Sequence, residues 1–211
     1  KSGNQNGRMY ASTSAFCERQ TALGMTYTGD IDIEPETEMY FSIGLAIEDT
    51  FLKSLRNQNV LLFSQFVTPD IGLNIGGKID GIYKLPDGKI RLLEIKSCGS
   101  LPQNAYPENV AQATLYSAIV GLPIDLLYGS RLVKKNQKSN ELAIKQIEVN
   151  TNHNNQYKAM FTAIFGKLCA DNGLMPDIPD NLKSESDCGF CKFKNICWQG
   201  EPSHLEAMIQ K

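Results

Sequence analysis

Gly77-Lys-Ile-Asp80-Gly-Ile-Tyr-Lys-Leu-Pro86-Asp87-Gly88-Lys-Ile-Arg-Leu-Leu-Glu94-Ile-Lys96 is the stretch whose register decides the fold. Residues 73–85 and 89–97 are apolar, β-prone runs. Pro86-Asp87-Gly88 between them is a turn in which proline presets the first corner and glycine accepts a positive φ. Two registers compete. A loop of Asp87 and Gly88 alone puts Asp80 and Glu94 on opposite faces. A three-residue loop puts Leu85 across from Lys89 and Asp80 across from Glu94, and it keeps Pro86, which has no N–H to donate, out of the ladder. We prefer the second, in which the two carboxylates have Cβ atoms about 4.5 to 5.5 Å apart. Lys96, two residues beyond Glu94, points to the same face.

Facing carboxylates repel and push one pKa upward unless a cation lies between them, and a hard divalent ion such as Mg2+ or Mn2+ suits their oxygens. The plain alternative is a solvated hairpin face. Against it, Glu94 sits among Leu92, Leu93 and Ile95, and Asp80 between Ile79 and Ile82. A charged pair in an apolar run marks a candidate site. Gly76, Gly77 and Gly81 thin the surface beside the acid and are expected to leave room for an approaching group such as a nucleic-acid backbone.

Outward from the hairpin, residues 60–67 read as a strand and residues 35–56 as a long helix with Pro35 in its first turn. Further upstream, Ser12 is positioned to cap a short helix reaching Leu23, with loop to residue 34. Downstream, residues 107–120 are helical in composition, residues 124–133 and 141–149 are strands around a lysine-rich loop, and residues 152–170 form another helix. The expected fold is α/β, a mixed central β-sheet flanked by helices with a C-terminal cysteine-cluster region. With 211 residues the chain holds one domain, 1–211, to which 12–24 and 174–200 contribute the metal-cluster subregion.

A net charge of −2 supplies no global attraction to nucleic acid. Contact would rest on local patches such as Lys134, Lys135 and Lys138, or Lys192 and Lys194, opposed by the acidic stretch Asp30, Asp32, Glu34, Glu36 and Glu38. Each such run is more commonly a solvated loop. No apolar run is long enough to span a membrane, and residues 1–7 lack a signal peptide's apolar core, so the expectation is a cytoplasmic, intracellular protein with no membrane contact.

Cys188, Cys191 and Cys197 crowd into ten residues while Cys17 lies at the far end. That clustering favours a metal site over three disulfides. Four thiolates hold zinc or an iron–sulfur cluster, and spacing alone does not separate the two. Phe193 and Trp198 nearby either stack on the bases of a single strand or pack over the cluster. Cys98 and Cys169 read as core thiols, and His153 and His204 lack ligand-spaced partners.

Taken in order, Gly44-Leu-Ala-Ile-Glu48, Gly77-Lys-Ile-Asp80, Glu94-Ile-Lys96 and Gln112-Ala-Thr-Leu-Tyr116 resemble the motifs of PD-(D/E)XK nucleases, the last being the Q-x-x-x-Y motif of the RecB-like and Cas4-like branch. With Cys17 and Cys188-x-x-Cys191-x-x-x-x-x-Cys197 the pattern resembles the iron–sulfur members of Cas4, AddB and Dna2 type, over residues 17–197. The resemblance implies a restriction-endonuclease-like core and a deoxyribonuclease, expected to be an exonuclease on single-stranded or end-containing DNA. It implies Mg2+ or Mn2+ on Glu48, Asp80 and Glu94, and Lys96 activating the attacking water or stabilising phosphate charge. It places Gln112 and Tyr116 near the DNA end, and a 4Fe-4S cluster, with zinc as the alternative, on Cys17, Cys188, Cys191 and Cys197. Cas4 and RecB-type proteins usually carry histidine where this chain has Glu48, a departure towards a phage-type recombination or processing exonuclease. Protein partners in a DNA-processing complex fit the same resemblance. The rival from another class is a catalytically silent DNA-binding or assembly module on the same fold.

Overall fold

The computed structural model describes residues 9–27, 35–70, 72–131, 143–180, 182, 184, 188 and 191–199. The lysine-rich loop with Lys134, Lys135 and Lys138, the loop at residues 28–34 and His204 lie outside the described residues.

In chain order the elements are β1 (Met9–Tyr10), α1 (Ala11–Ser14), α2 (Glu18–Thr26), α3 (Pro35–Asn57), β2 (Leu61–Val67), β3 (Ile75–Gly76), β4 (Lys78–Lys84), β5 (Ile90–Cys98), α4 (Pro107–Val120), β6 (Ile124–Ser130), β7 (Ile144–Glu148), α5 (His153–Asp171) and α6 (Lys194–Gln199). Five strands form one sheet in the order β2-β4-β5-β6-β7. Within this sheet, among the described residues, only β5 and β6 run parallel, because α4 carries the chain back across the sheet between them. Pro107 opens α4 at a position needing no N–H partner, and Gly121, at φ +77°, closes it with its N–H on the Ser117 carbonyl.

Side-chain alternation along the strands sorts the core onto two faces. Tyr83, Leu93 and Ile95 pack against Ile47, Phe51 and Leu52 of α3. On the other face Ile82, Leu92, Leu126 and Tyr128 join Leu115, Tyr116 and Ile119 of α4, with Ala159 and Ala163 of α5 behind them. The fold is α/β, with a mixed five-stranded sheet flanked by helices.

The three-residue loop register holds. Leu85 N donates to Lys89 O at 2.8 Å, Tyr83 pairs with Arg91 and Gly81 with Leu93, and Gly88 has φ +89°. Two local readings need correction. Residues 73–85 are not one strand: Ile75–Gly76 pairs in parallel with Met9–Tyr10 in a separate two-stranded sheet, and the chain breaks at Gly77 before β4. A partner so distant in sequence leaves no local trace. Nor does Ser12 cap the short helix that reaches Leu23. It lies inside the single turn of α1, and the chain becomes extended at Cys17 (φ −142°, ψ 123°), whose sulfur accepts from Gln20 N to cap α2.

Candidate functional site

Beyond the Gly81–Leu93 pair the next position on β4 is Asp80, and its side chain takes over the role of a ladder carbonyl: Oδ2 accepts from Ile95 N at 2.7 Å. Glu94 and Lys96 turn toward α4, since Leu93 and Ile95 between and beside them occupy the α3 face. There Glu94 Oε1 accepts from Lys96 Nζ at 2.9 Å and from Gln112 Nε2 at 2.8 Å, and Gln112 Oε1 accepts from Lys96 Nζ at 2.8 Å. The three groups close a triangle. Glu94 Oε2 is buried with no hydrogen-bond partner among the described residues. From α3, the half-buried Glu48 presents its carboxylate, which accepts from Gln65 Nε2 of β2.

The solvated-face alternative fails, because Asp80 is 8% and Glu94 4% exposed. Burial, and then the charges of Glu94 and Glu48, push the Asp80 carboxyl up to about 8, against the lowering effect of the Ile95 amide and the Lys96 ammonium. Glu48 is raised too, first by burial and then by Glu94, while Gln65 and Lys78 counteract. Burial alone would lower Lys96. The Glu94 carboxylate beside it, with Asp80 behind, outweighs burial and holds the ammonium above its ordinary value. Asp80, Glu94 and Glu48 therefore act on one another and on Lys96, with Lys78 acting on Glu48 as well.

Gln112 and Tyr116, one turn apart on α4, are both buried and face this group, so they are not a polar helix surface. The Tyr116 hydroxyl donates to Lys78 O at 3.4 Å. The glycine reading is corrected here: the space at Gly77 and Gly81 is filled by the protein itself. A Cβ on residue 77 would lie 2.4 Å from the Tyr116 ring, and one on residue 81 would meet Leu61, Leu52 and Leu93. Sequence reasoning missed Gln65 and Lys78. Gln65 follows Ser64, the partner of Gly81, and precedes Phe66, the partner of Ile79, so it stands opposite Asp80, with φ +55°. A positive φ on a residue with a Cβ inside a strand is uncommon and is found where a side chain must be aimed. No sequence signal marks it.

The cysteines form a second constellation. All six are free thiols, with Cys98 and Cys169 buried as expected. Burial raises Cys17 and Cys191 to about 11 each, with Cys191 adding to the rise at Cys17 and with Cys197 and Cys188 adding to the rise at Cys191. Cys197 is raised by burial and by Cys188, against the Arg19 guanidinium. Thiols from both ends of the chain thus feel one another. Phe193 is 1% exposed and packs on Leu23 beside Cys191, Cys197 and Tyr27, so it is a packing residue and not a base-stacking one. Trp198 Nε1 donates to Cys188 Sγ at 3.3 Å. Lys192 is exposed with its ammonium over the Phe193 ring, and Lys194 opens α6.

Among the described residues no group of three or more His, Cys, Asp or Glu side chains is arranged to hold a metal ion as it stands. The donor chemistry nonetheless suits two kinds of cation. The orphaned Glu94 Oε2 and mutually repelling carboxylates suit a hard divalent ion, and the four grouped thiols suit a soft one.

No family profile and no curated protein matches the chain. Among solved structures it is similar to the crystal structure of SSO0001, at 16% identity and a TM-score of 0.51, over 95% of this chain and 88% of that one. At that identity the likeness concerns the fold. No helix among the described residues is long and apolar enough to cross a membrane.

Proposed function

We propose that this chain is a divalent-metal-dependent deoxyribonuclease with a PD-(D/E)XK site on a restriction-endonuclease-like core. One observation carries the reading: two buried carboxylates from adjacent strands, Asp80 and Glu94, share a site with the half-buried Lys96, and one carboxylate oxygen has no partner among the described residues. Burying like charges is costly, and such groups cluster at functional sites.

Asp80, Glu94 and Glu48 would hold Mg2+ or Mn2+, with oxygen donors throughout. Bound there, the ion supplies Lewis acidity that stabilises charge on a phosphodiester under attack. The chain's own residues do the rest. Lys96 is held protonated by Glu94, so its part is to offer positive charge to a phosphate oxygen and not to abstract a proton. Gln112 fixes both Lys96 and Glu94 in place, and Tyr116 buttresses β4 through Lys78 O. Exonuclease action on single-stranded or end-containing DNA is the substrate reading that goes with this site.

Cys17, Cys188, Cys191 and Cys197 would hold a 4Fe-4S cluster, with zinc as the alternative occupant. A metal there ties the start of α2 to the segment leading into α6, and its binding energy adds to that of folding.

The test is cleavage of end-labelled single- and double-stranded DNA by anaerobically purified protein, with Mn2+ or Mg2+ against EDTA, for wild type and Glu94→Ala. Metal-dependent degradation lost in the variant is expected. Binding without cleavage under every condition would replace the enzyme with a silent DNA-binding or assembly module.

A further inference from the structure

The outer face of α5 is built unlike a solvated helix. Residues 159–166 contain no charged side chain. Tyr157, Phe161, Phe165 and Leu168 are 72, 50, 42 and 53% exposed and recur at four, four and three residues, forming one stripe. The three rings are stacked along it: Tyr157 and Phe161 have centroids 6.2 Å apart, and Phe161 and Phe165 5.7 Å apart with an interplanar angle of 5°. Contiguous exposed apolar surface of this kind marks a binding face.

The stripe runs into a cleft of about 730 Å3 that shares Phe165 with it and is bordered by Leu174, Met175 and Ile178. Leu174 is itself 60% exposed. The polar lining of the cleft is acidic: Glu18, Asp177 and Asp180. Nearby cations do not offset them. Lys167 is paired with Asp171 at 2.6 Å, and Arg19 is turned to Pro176 O at 2.8 Å and to Cys197. Asp177 and Asp180 have no ion-pair partner among the described residues.

We infer that the α5 stripe and the adjoining cleft dock an amphipathic helical segment of a partner protein, one whose apolar side chains follow a helical stripe and whose flanking residues are basic. The spacing on α5 is that of a seam between two packed helices, and large rings provide anchors for a helix lying along it. The sign of the charge selects the partner. Phosphates would be repelled by Glu18, Asp177 and Asp180, whereas lysines or arginines beside the partner's stripe would be drawn to them. None of Asp80, Glu94 and Lys96 borders the cleft, and the inference does not rest on the nuclease reading.

The experiment uses the full chain and three fluorescein-labelled probes of equal length. One is a helical Leu/Lys peptide with a single leucine stripe, one a Leu/Lys peptide of the same composition without a stripe, and one a Leu/Glu peptide with the stripe. Oligo(dT) is run alongside, and anisotropy is read for wild type, Phe161→Ser/Phe165→Ser and Asp177→Lys/Asp180→Lys. All four positions are solvent-facing or cleft-lining, so the variants should melt as wild type does, and melting curves verify it. The striped Leu/Lys peptide should bind wild type at least tenfold more tightly than either other peptide and lose at least tenfold in both variants. Failure of that peptide to bind, or equal binding by the variants, overturns the proposal. So does loss of oligo(dT) binding in the ring variant, which would make the stripe a nucleic-acid platform. Concentration-dependent self-association of wild type, abolished by the ring variant, would assign the face to a second copy of the chain.

Discussion

Gly77 lies so close to Tyr116 that any side chain at residue 77 would occupy the space of the ring: a Cβ would come within 2.4 Å of Cε1 and 2.7 Å of the hydroxyl oxygen. Tyr116 is 3% exposed and cannot swing away cheaply. Gly77→Ala should therefore destabilise the protein by about 1 to 3 kcal/mol, the usual cost of overpacking a filled core. Urea unfolding of Gly77→Ala, Tyr116→Ala and the double variant checks it, and the double variant should be more stable than the sum of the two losses. Additive losses would mean that the two residues do not compete for one space.

Lys96 has two duties that separate experimentally. Its ammonium neutralises Glu94, whose side chain is only 5% exposed. Lys96→Met should cost about 3 kcal/mol by leaving a buried carboxylate without its cation. Adding Glu94→Gln should return most of that stability while cleavage stays lost. A double variant as unstable as Lys96→Met would mean that the buried Glu94 charge is not what the lysine offsets.

Asp80 should make stability depend on pH. Its carboxyl stands at about 8 in the fold against an ordinary value of 3.8. Between these values the folded chain binds more protons than the unfolded one, so stability is full below about 4 and declines as pH rises toward 8. Glu48, shifted in the same direction, adds to the decline. Urea midpoints in EDTA across this range should fall with pH in wild type and fall less steeply in Asp80→Asn. Mg2+ should stabilise increasingly as pH rises, because it needs the ionised carboxylates. Parallel slopes for wild type and variant would remove Asp80 as their source.

Burial raises the Cys191 thiol to about 11, and Cys197 and Cys188 add to the rise. Cys191→Ala should lower bound metal and the melting temperature together, while leaving the Asp80 and Glu94 hairpin folded. Iron, sulfide and zinc analysis of anaerobic protein tests for the proposed metal. A variant with full metal content and an unchanged melting curve excludes a clasp at this position.

What was legible in the sequence was local or periodic. Pro86 favoured one hairpin register over the other, and from it followed the opposition of Asp80 and Glu94 and the shared face of Glu94 and Lys96. Apolar neighbours foretold that both acids are buried. What was not legible depended on contacts distant in sequence. The partner of Ile75–Gly76 is Met9–Tyr10, the room at Gly77 belongs to Tyr116, and Gln65 reaches Glu48 from a backbone conformation that no residue type announces. Asp125 likewise gave no sign that it would be enclosed by Arg91, Tyr83 and Gln146. Such polar networks are set by which strands adjoin, and β6 adjoins β5 only through a crossover.

The bond from Ile95 N to Asp80 Oδ2 gives the site a built-in reporter. A paired hairpin amide such as that of Leu85 is shielded by a main-chain carbonyl, that of Lys89, and exchanges with solvent when the strands part. At Ile95 the shield is a titratable side chain. Its amide resonance and hydrogen-exchange rate therefore follow what Asp80 is doing, whether protonated, ionised or drawn toward a cation, and the state of the site can be watched by NMR without substrate or turnover.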